Sequence, residues 1–169
     1  MERANAFDFI GPKTLVGPEL KVGDKAPAFV VLGQDLKDVD SATMAGKPML
    51  ISVIPSVDTG VCDLQTKRFN EEAGRMGDKI TLLTVSADLP FALRRYCGAN
   101  EIKNLLVVSD HRTMSFGAAY GTYIKEVRLE SRAVFVVDGA GVIRHAEYVP
   151  TAGQHPNYDA ALAVLAKLV

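Results

Sequence analysis

The sequence of 169 residues has few cysteines, no excess of charge of one sign and no long apolar run. With only Cys62 and Cys97, it is not a small scaffold held together by several disulfides. Its net charge of −1 argues against strong binding to nucleic acid or to anionic membranes, because both require a basic surface. The apolar runs, such as residues 133–137, are far shorter than the ~20 residues that cross a bilayer. We therefore expect neither a nucleic-acid partner nor a membrane partner.

The composition is typical of a globular protein, with 48% hydrophobic and 23% charged residues. The 14 glycines and 8 prolines are too few for a collagen-like or low-complexity chain. A chain of this length most simply forms one domain, which we expect to cover residues 1–169. Because the polar residues 1–5 precede no apolar segment of signal-peptide length, we expect a cytoplasmic protein. In that reducing compartment, a disulfide between the two cysteines would be a transient part of a reaction and not a permanent structural bridge.

Short strand patterns alternate with helical patterns along the chain. Predicted strands cover residues 27–32, 49–54, 80–86, 105–108, 133–137 and 142–149. Predicted helices begin at Asp58 or Thr59 and end at Gly77, cover 90–97 with Gly98 as the end, cover 114–120, and run onward from Asn157. Turn residues at 11–12 and 138–141 predict two β-hairpins. The alternation favours an α/β domain with a thioredoxin-like arrangement, in which helices flank a mixed central sheet and an N-terminal β-hairpin precedes it.

Cys62 lies in the first turn of the predicted helix that follows the strand ending at residues 54–55. Ligands of such folds bind at the carboxyl ends of parallel strands. The free N–H groups and the positive dipole end of a helix start stabilise a thiolate, which is the nucleophilic form of cysteine. We therefore expect Cys62 to lose its proton more readily than a free cysteine. The negative charge of the neighbouring Asp63 opposes this effect, but solvent screens it because Asp63 is expected to be exposed. The residues alone leave open that Cys62 is a small buried hydrophobe and Thr59 a simple helix cap.

Pro55, Thr59 and Cys62 form the pattern Pro-x-x-x-Thr-x-x-Cys. This pattern resembles the active-site signature of peroxiredoxins, and the run 56–73 resembles their bacterial thiol peroxidase branch in particular. Further segments similar to that branch are 86–92, 95–98, 131–138 and 156–162, so that the resemblance covers nearly the whole chain. The resemblance implies that Cys62 is the peroxidatic cysteine, whose thiolate attacks a hydroperoxide and becomes a sulfenic acid.

The same resemblance implies roles for other residues. Thr59 would hold the peroxide and the thiolate, Pro55 would shield the site, and Arg132 would place a guanidinium near the sulfur. From the residues alone, Arg132 is better read as a surface charge beside a strand, and Pro55 can merely end a strand. Cys97 would be the resolving cysteine that forms an intrachain disulfide with Cys62. A disulfide needs Cα atoms within roughly 7 Å, so we expect local unwinding around one or both cysteines.

Partners and cofactors also follow from the resemblance. It implies that thioredoxin or a similar dithiol reduces the disulfide, that the protein forms a homodimer, and that no cofactor is needed. We expect no metal site, because His111, His145 and His155 lack ligand spacing. The chain departs from the family at Gly60, where many members carry proline, and in the stretch 151–155, which has no clear counterpart.

Three other functions remain open at this point. Cys62 and Arg68 form the Cys-x5-Arg string of cysteine phosphatases, although no glycine between them would shape a phosphate cradle and no histidine precedes the cysteine. A thioredoxin-type oxidoreductase would carry a second cysteine where Gln65 stands. A binding module that uses the same fold without chemistry would keep its function after substitution of Cys62.

Overall fold

The computed structural model describes all 169 residues and contains eleven strands and four helices. The strands are β1 (Glu2–Asp8), β2 (Pro12–Val16), β3 (Val30–Leu32), β4 (Asp38–Asp40), β5 (Met49–Val53), β6 (Thr81–Ser86), β7 (Leu106–Ser109), β8 (Tyr123–Ile124), β9 (Leu129–Glu130), β10 (Ala133–Val137) and β11 (Ile143–Tyr148). The helices are α1 (Gly60–Met76), α2 (Pro90–Ala99), α3 (Ser115–Tyr120) and α4 (Tyr158–Ala166). None of these helices has the length and apolar character that crossing a membrane requires.

The central sheet has seven strands in the order β11-β10-β5-β6-β7-β3-β4. β5 pairs in parallel with β6, and β6 with β7, whereas the other neighbours pair antiparallel. The mixed sheet predicted from the sequence is therefore confirmed. β3 is shorter than the predicted strand 27–32, because the backbone N–H of Phe29 donates to the Ser41 side chain and not to a neighbouring strand.

The N-terminal hairpin forms as predicted and belongs to a second sheet, ordered β1-β2-β8-β9. The two-residue strands β8 and β9 were not predicted, because strands this short contain no apolar period that a sequence could reveal. The hairpin also contacts the chain beyond β11. The Asp8 N–H donates to Pro150 O at 2.8 Å, and the Ala152 N–H donates to Asp8 O at 2.9 Å. This ladder fixes the segment 150–152 against the hairpin.

Apolar side chains cover both faces of the central sheet. Successive residues of β5 alternate between the faces. Leu50 packs in a core cluster with Phe69 of α1 and Leu93 of α2, and this cluster also includes residues of α4. Ile51 packs in a second cluster with Phe116 of α3. The sheet is therefore enclosed by α1, α2 and α4 on one side and by α3 on the other, as expected for the predicted arrangement.

The helix ends agree with the sequence predictions at two places and differ at a third. α1 ends at Gly77, whose φ of 64° lies in the left-handed region that favours glycine. Asn157 precedes α4 and accepts a hydrogen bond from the Ala160 N–H, as predicted for an N-cap. The prediction that Gly98 ends α2 is wrong. The helix continues through it because the Asn100 N–H still bonds to Tyr96 O at 3.0 Å.

Candidate active site

Cys62 lies in the first turn of α1, directly after the loop that leaves the carboxyl end of β5. Its side chain is completely buried and its thiol is free. Thr59 occupies the N-cap position of α1, but its side chain makes no capping hydrogen bond. Instead, its hydroxyl donates to Ser56 O at 3.3 Å. Thr59 is therefore the N-cap residue by position, although its hydroxyl does not bond to the first turn of the helix.

Arg132 is buried, with only 1% of its surface exposed, so its interpretation as a surface charge is wrong. Its Nη2 donates to Cys62 Sγ at 3.3 Å. The residue directly precedes β10, the neighbour of β5 in the sheet, and this pairing brings it to the end of the sheet where α1 begins. A guanidinium at this distance stabilises the thiolate form of the cysteine, because the two groups carry opposite charges.

Neutral oxygens hold the Arg132 guanidinium in place. Nη1 donates to Gln65 Oε1 at 2.7 Å, while Nη2 and Nε donate to Ala152 O at 2.7 and 3.2 Å. The Gln65 side chain is held in turn by Ser52, whose Oγ accepts a hydrogen bond from Gln65 Nε2 at 2.7 Å. No carboxylate forms an ion pair with Arg132. Arg132 is therefore a buried positive charge that faces Cys62 Sγ and has no carboxylate partner.

Three of these groups were missed by the sequence reasoning. Gln65 follows Cys62 by three residues, a spacing that places two side chains on the same helix face and is a signal that was available. Ser52 lies in a buried apolar strand, and nothing in the sequence indicated which polar group would bond to its hydroxyl. Ala152 acts through its backbone oxygen, which no sequence pattern displays. It lies in the stretch 151–155, for which the resemblance gave no counterpart.

A pocket of about 210 Å³ is bordered by Arg132 and by the residues that directly precede Cys62. Its lining residues are Phe9, Pro55, Thr59, Gly60, Val61, Arg132, Ala152 and Gly153. Arg132 thus contacts both the pocket and the buried sulfur of Cys62. Another pocket of about 210 Å³ lies near the start of β5, at the opposite end of this strand, and it includes neither cysteine. Cys62 itself does not line the first pocket, but Thr59, Gly60 and Val61, which directly precede it, and Arg132, which contacts its sulfur, do.

Cys97 lies on α2, in the same core cluster as Cys62, and its thiol is also free. No hydrogen bond joins it to Arg132. Its sulfur accepts a hydrogen bond from Gln34 Nε2 at 3.4 Å. Burial raises the pKa of the Cys97 thiol, and the hydrogen bond from Gln34 opposes this rise only in part. In this conformation Cys97 is therefore a protonated, shielded thiol.

The Cys-x5-Arg string does not form a phosphate cradle. Its residues all belong to the regular helix α1, and the Arg68 side chain is 42% exposed. Arg68 contacts Glu72 and Asp159 at 3.6 and 3.4 Å, so its guanidinium points away from the buried sulfur. The phosphatase interpretation is therefore wrong.

Comparison with known proteins identifies the family. The family model described as Redoxin matches residues 21–162. The chain belongs to the Redoxin family. A relative named thiol peroxidase from Bacillus subtilis (strain 168) is 57% identical over 159 residues, which are 94% of this chain and 95% of the relative. Another thiol peroxidase, from Staphylococcus aureus (strain MRSA252), is 48% identical over 153 residues, covering 90% of this chain and 92% of the relative.

Solved structures agree with this Redoxin assignment. The crystal structure of a peroxiredoxin-like protein from Aquifex aeolicus is 39% identical, with a TM-score of 0.87 and 94% of each chain covered. The structure of Mycobacterium tuberculosis AhpC, at 24% identity and a TM-score of 0.75, shares the fold over 89% of this chain and 94% of its own. The predicted thioredoxin-like fold of the peroxiredoxins is therefore confirmed.

Proposed function

We propose that this Redoxin-family protein is a thiol-dependent peroxidase that reduces hydrogen peroxide and organic hydroperoxides at Cys62. The observation that carries the proposal is the 3.3 Å contact between Cys62 Sγ and the buried Arg132 guanidinium, whose charge no carboxylate compensates. A guanidinium beside a cysteine sulfur favours the thiolate, which is the nucleophilic form of the residue. The names of the relatives, thiol peroxidases at up to 57% identity, support the same activity.

The geometry supports a direct attack on the peroxide. The Cys62 thiolate attacks the distal oxygen of the hydroperoxide, the O–O bond breaks, and the departing alkoxide or hydroxide takes up a proton to become an alcohol or water. Arg132 borders the pocket and stabilises the negative charge that moves onto the leaving oxygen. Thr59 also lines the pocket, and its hydroxyl makes no hydrogen bond to the first turn of α1. We assign this hydroxyl to holding the peroxide. The Pro55 ring, buried at the same pocket, shields the sulfur from water.

We assign the second half of the cycle to Cys97. Its sulfur attacks the sulfur of the Cys62 sulfenic acid, an S–S bond forms, the S–O bond breaks, and hydroxide leaves as water with a proton. The buried, protonated state of Cys97 supports the expectation that its surroundings open before this attack. Thioredoxin or a similar dithiol then reduces the disulfide.

Exposed apolar side chains support the proposal of a homodimer and of a docking reductant. Leu64 of α1 is 55% exposed, and Phe91 of α2 is 63% exposed. Each lies on a helix that carries one of the cysteines. Side chains of this kind gain stability when a partner removes them from water.

A coupled assay tests the proposed function. Peroxide consumption is measured with thioredoxin, thioredoxin reductase and NADPH, using hydrogen peroxide and cumene hydroperoxide in parallel. We expect turnover for the unmodified protein and none for Cys62→Ser. Cys97→Ser is the matched control, because it should consume about one equivalent of peroxide and then stop. Peroxide turnover by Cys62→Ser would contradict the proposal. Absence of peroxide turnover in the unmodified protein would also contradict it and would favour a binding module.

A further inference from the structure

The Tyr96 hydroxyl links the two helices that carry the cysteines. The Tyr96 hydroxyl donates to Asp63 Oδ1 at 2.7 Å. Asp63 directly follows Cys62 on α1, and Tyr96 directly precedes Cys97 on α2. The Tyr96 hydroxyl also interacts with the Thr66 side chain of α1, and no ion pair joins the two helices. The contact therefore joins the immediate chain neighbours of both cysteines, and movement of either cysteine away from its helix position would strain it.

The Tyr96–Asp63 contact is charge-assisted and partly shielded from water. Tyr96 is 9% exposed, and the other oxygen of Asp63 accepts a hydrogen bond from Lys67 Nζ at 2.9 Å. Burial alone raises the pKa of the Asp63 carboxyl, but the hydrogen bonds from Tyr96 and Lys67 outweigh it, so that this pKa lies below its usual value. Burial and the neighbouring carboxylate raise the pKa of Tyr96, so its hydroxyl stays protonated. Hydrogen bonds of this kind are roughly twice as strong as neutral ones.

We expect formation of the disulfide to break this contact. Both thiols are buried and free, and they lie on separate helices. Two bonded sulfurs stand only about 2.05 Å apart and need Cα atoms within roughly 7 Å. When α2 or the first turn of α1 unwinds to bring the sulfurs together, Tyr96 leaves Asp63. Gln34 also contacts this helix, because its backbone oxygen accepts a hydrogen bond from Arg94 and its side chain donates to the Cys97 sulfur.

We propose that Tyr96 and Asp63 are positioning residues that keep Cys97 apart from Cys62 and thereby set the rate of the resolving step. The inference rests on the proposed function. A strong contact prolongs the life of the Cys62 sulfenic acid, so that a second hydroperoxide can oxidise it to the sulfinic acid, with release of another alcohol or water molecule. A weak contact favours attack by Cys97, which forms the S–S bond and releases water. The contact therefore decides how the sulfenic acid divides between recycling and irreversible oxidation.

Hydrogen exchange in the reduced protein tests the structural part without peroxide. Tyr96→Phe removes the hydroxyl and keeps the ring in the core. We expect amides of residues 91–100 to exchange about tenfold faster in this variant, as follows from the loss of one charge-assisted hydrogen bond. The matched control is Tyr120→Phe, which loses a hydroxyl that donates to Pro27 O at 2.8 Å. Tyr120 belongs to a core cluster that contains neither cysteine. Exchange in 91–100 that is the same in Tyr96→Phe as in the unmodified protein would overturn the inference.

Rapid-quench mass spectrometry tests the chemical part. After one equivalent of hydrogen peroxide, we expect Tyr96→Phe to form the intrachain disulfide about tenfold faster than the unmodified protein, and with excess peroxide to accumulate less sulfinic acid. Tyr120→Phe should match the unmodified protein in both measurements, whatever its melting temperature. Equal partition between disulfide and sulfinic acid in Tyr96→Phe and the unmodified protein would overturn the inference. Failure of the proposed function looks different, because no variant would then consume peroxide while the exchange measurement would still report the contact.

Discussion

Replacing Arg132 by methionine removes the buried charge while keeping most of the side-chain volume. The substitution deletes the donor that lies 3.3 Å from Cys62 Sγ and the donors that bind Gln65 Oε1 and Ala152 O. The pocket keeps its other lining residues. The variant therefore isolates the electrostatic contribution of the guanidinium more cleanly than a truncation to alanine, which would also leave a cavity.

The size of the effect follows from the distance and the burial. Opposite unit charges separated by 3.3 Å attract by about 5 kcal/mol at an effective dielectric constant near 20, which is a ceiling because burying the ions offsets part of it. Loss of one donor that stabilises a developing charge slows reactions by roughly 10²–10³-fold. We therefore expect peroxide reduction to slow by about 10²-fold or more. The buried acceptors left without a donor should lower the free energy of unfolding by about 1–3 kcal/mol each.

Stopped-flow peroxide consumption, expressed per folded molecule, checks the rate, and urea denaturation checks the stability. Alkylation of Cys62 by iodoacetamide at about pH 6 gives an independent measure, because only the thiolate reacts. Arg132→Lys is the control that retains a charge but loses the planar set of donors. Its rate of peroxide reduction should lie between the rates of Arg132→Met and of the unmodified protein. A rate for Arg132→Met within about threefold of the unmodified protein, combined with a large loss of stability, would refute the reasoning and make the residue structural.

Other predictions follow from the same contacts. After one equivalent of peroxide, Cys97→Ser should show a sulfenic acid and no intrachain disulfide by non-reducing peptide mapping. Gln65→Leu should slow peroxide reduction by about tenfold, because Arg132 loses the acceptor at 2.7 Å that orients it, whereas a rate equal to that of the unmodified protein would contradict this role. Burial and the neighbouring Asp110 raise the pKa of Glu130 well above its usual 4.5, so the folded protein retains a proton that the unfolded chain releases. Stability should therefore fall as the pH rises from about 4.5 towards the raised pKa, and Glu130→Gln should remove this trend in urea titrations.

Local features of the protein could be predicted from the sequence because they depend on neighbouring residues. The strand pattern of β5, the glycine end of α1 and the Asn157 cap of α4 each involve residues a few positions apart. The position of Cys62 at a helix start is local in the same sense. The end of α2 at Gly98 was predicted wrongly, because the intrinsic preference of one glycine is weaker than a continuing set of helical hydrogen bonds. Coverage of 1–169 by one domain remains a prediction.

The electrostatic surroundings of the sulfur were decided only by the tertiary structure. Arg132 is 70 residues from Cys62 in the chain, and without the family resemblance its neighbours indicated an exposed charge. The antiparallel pairing of β10 with β5 brings it to the start of α1, where burial turns an ordinary guanidinium into a strong local charge. The backbone oxygen of Ala152 and the contact between Tyr96 and Asp63 arise in the same way. Sequence determines which side chains can react, whereas distances between elements remote in the chain determine which of them meet.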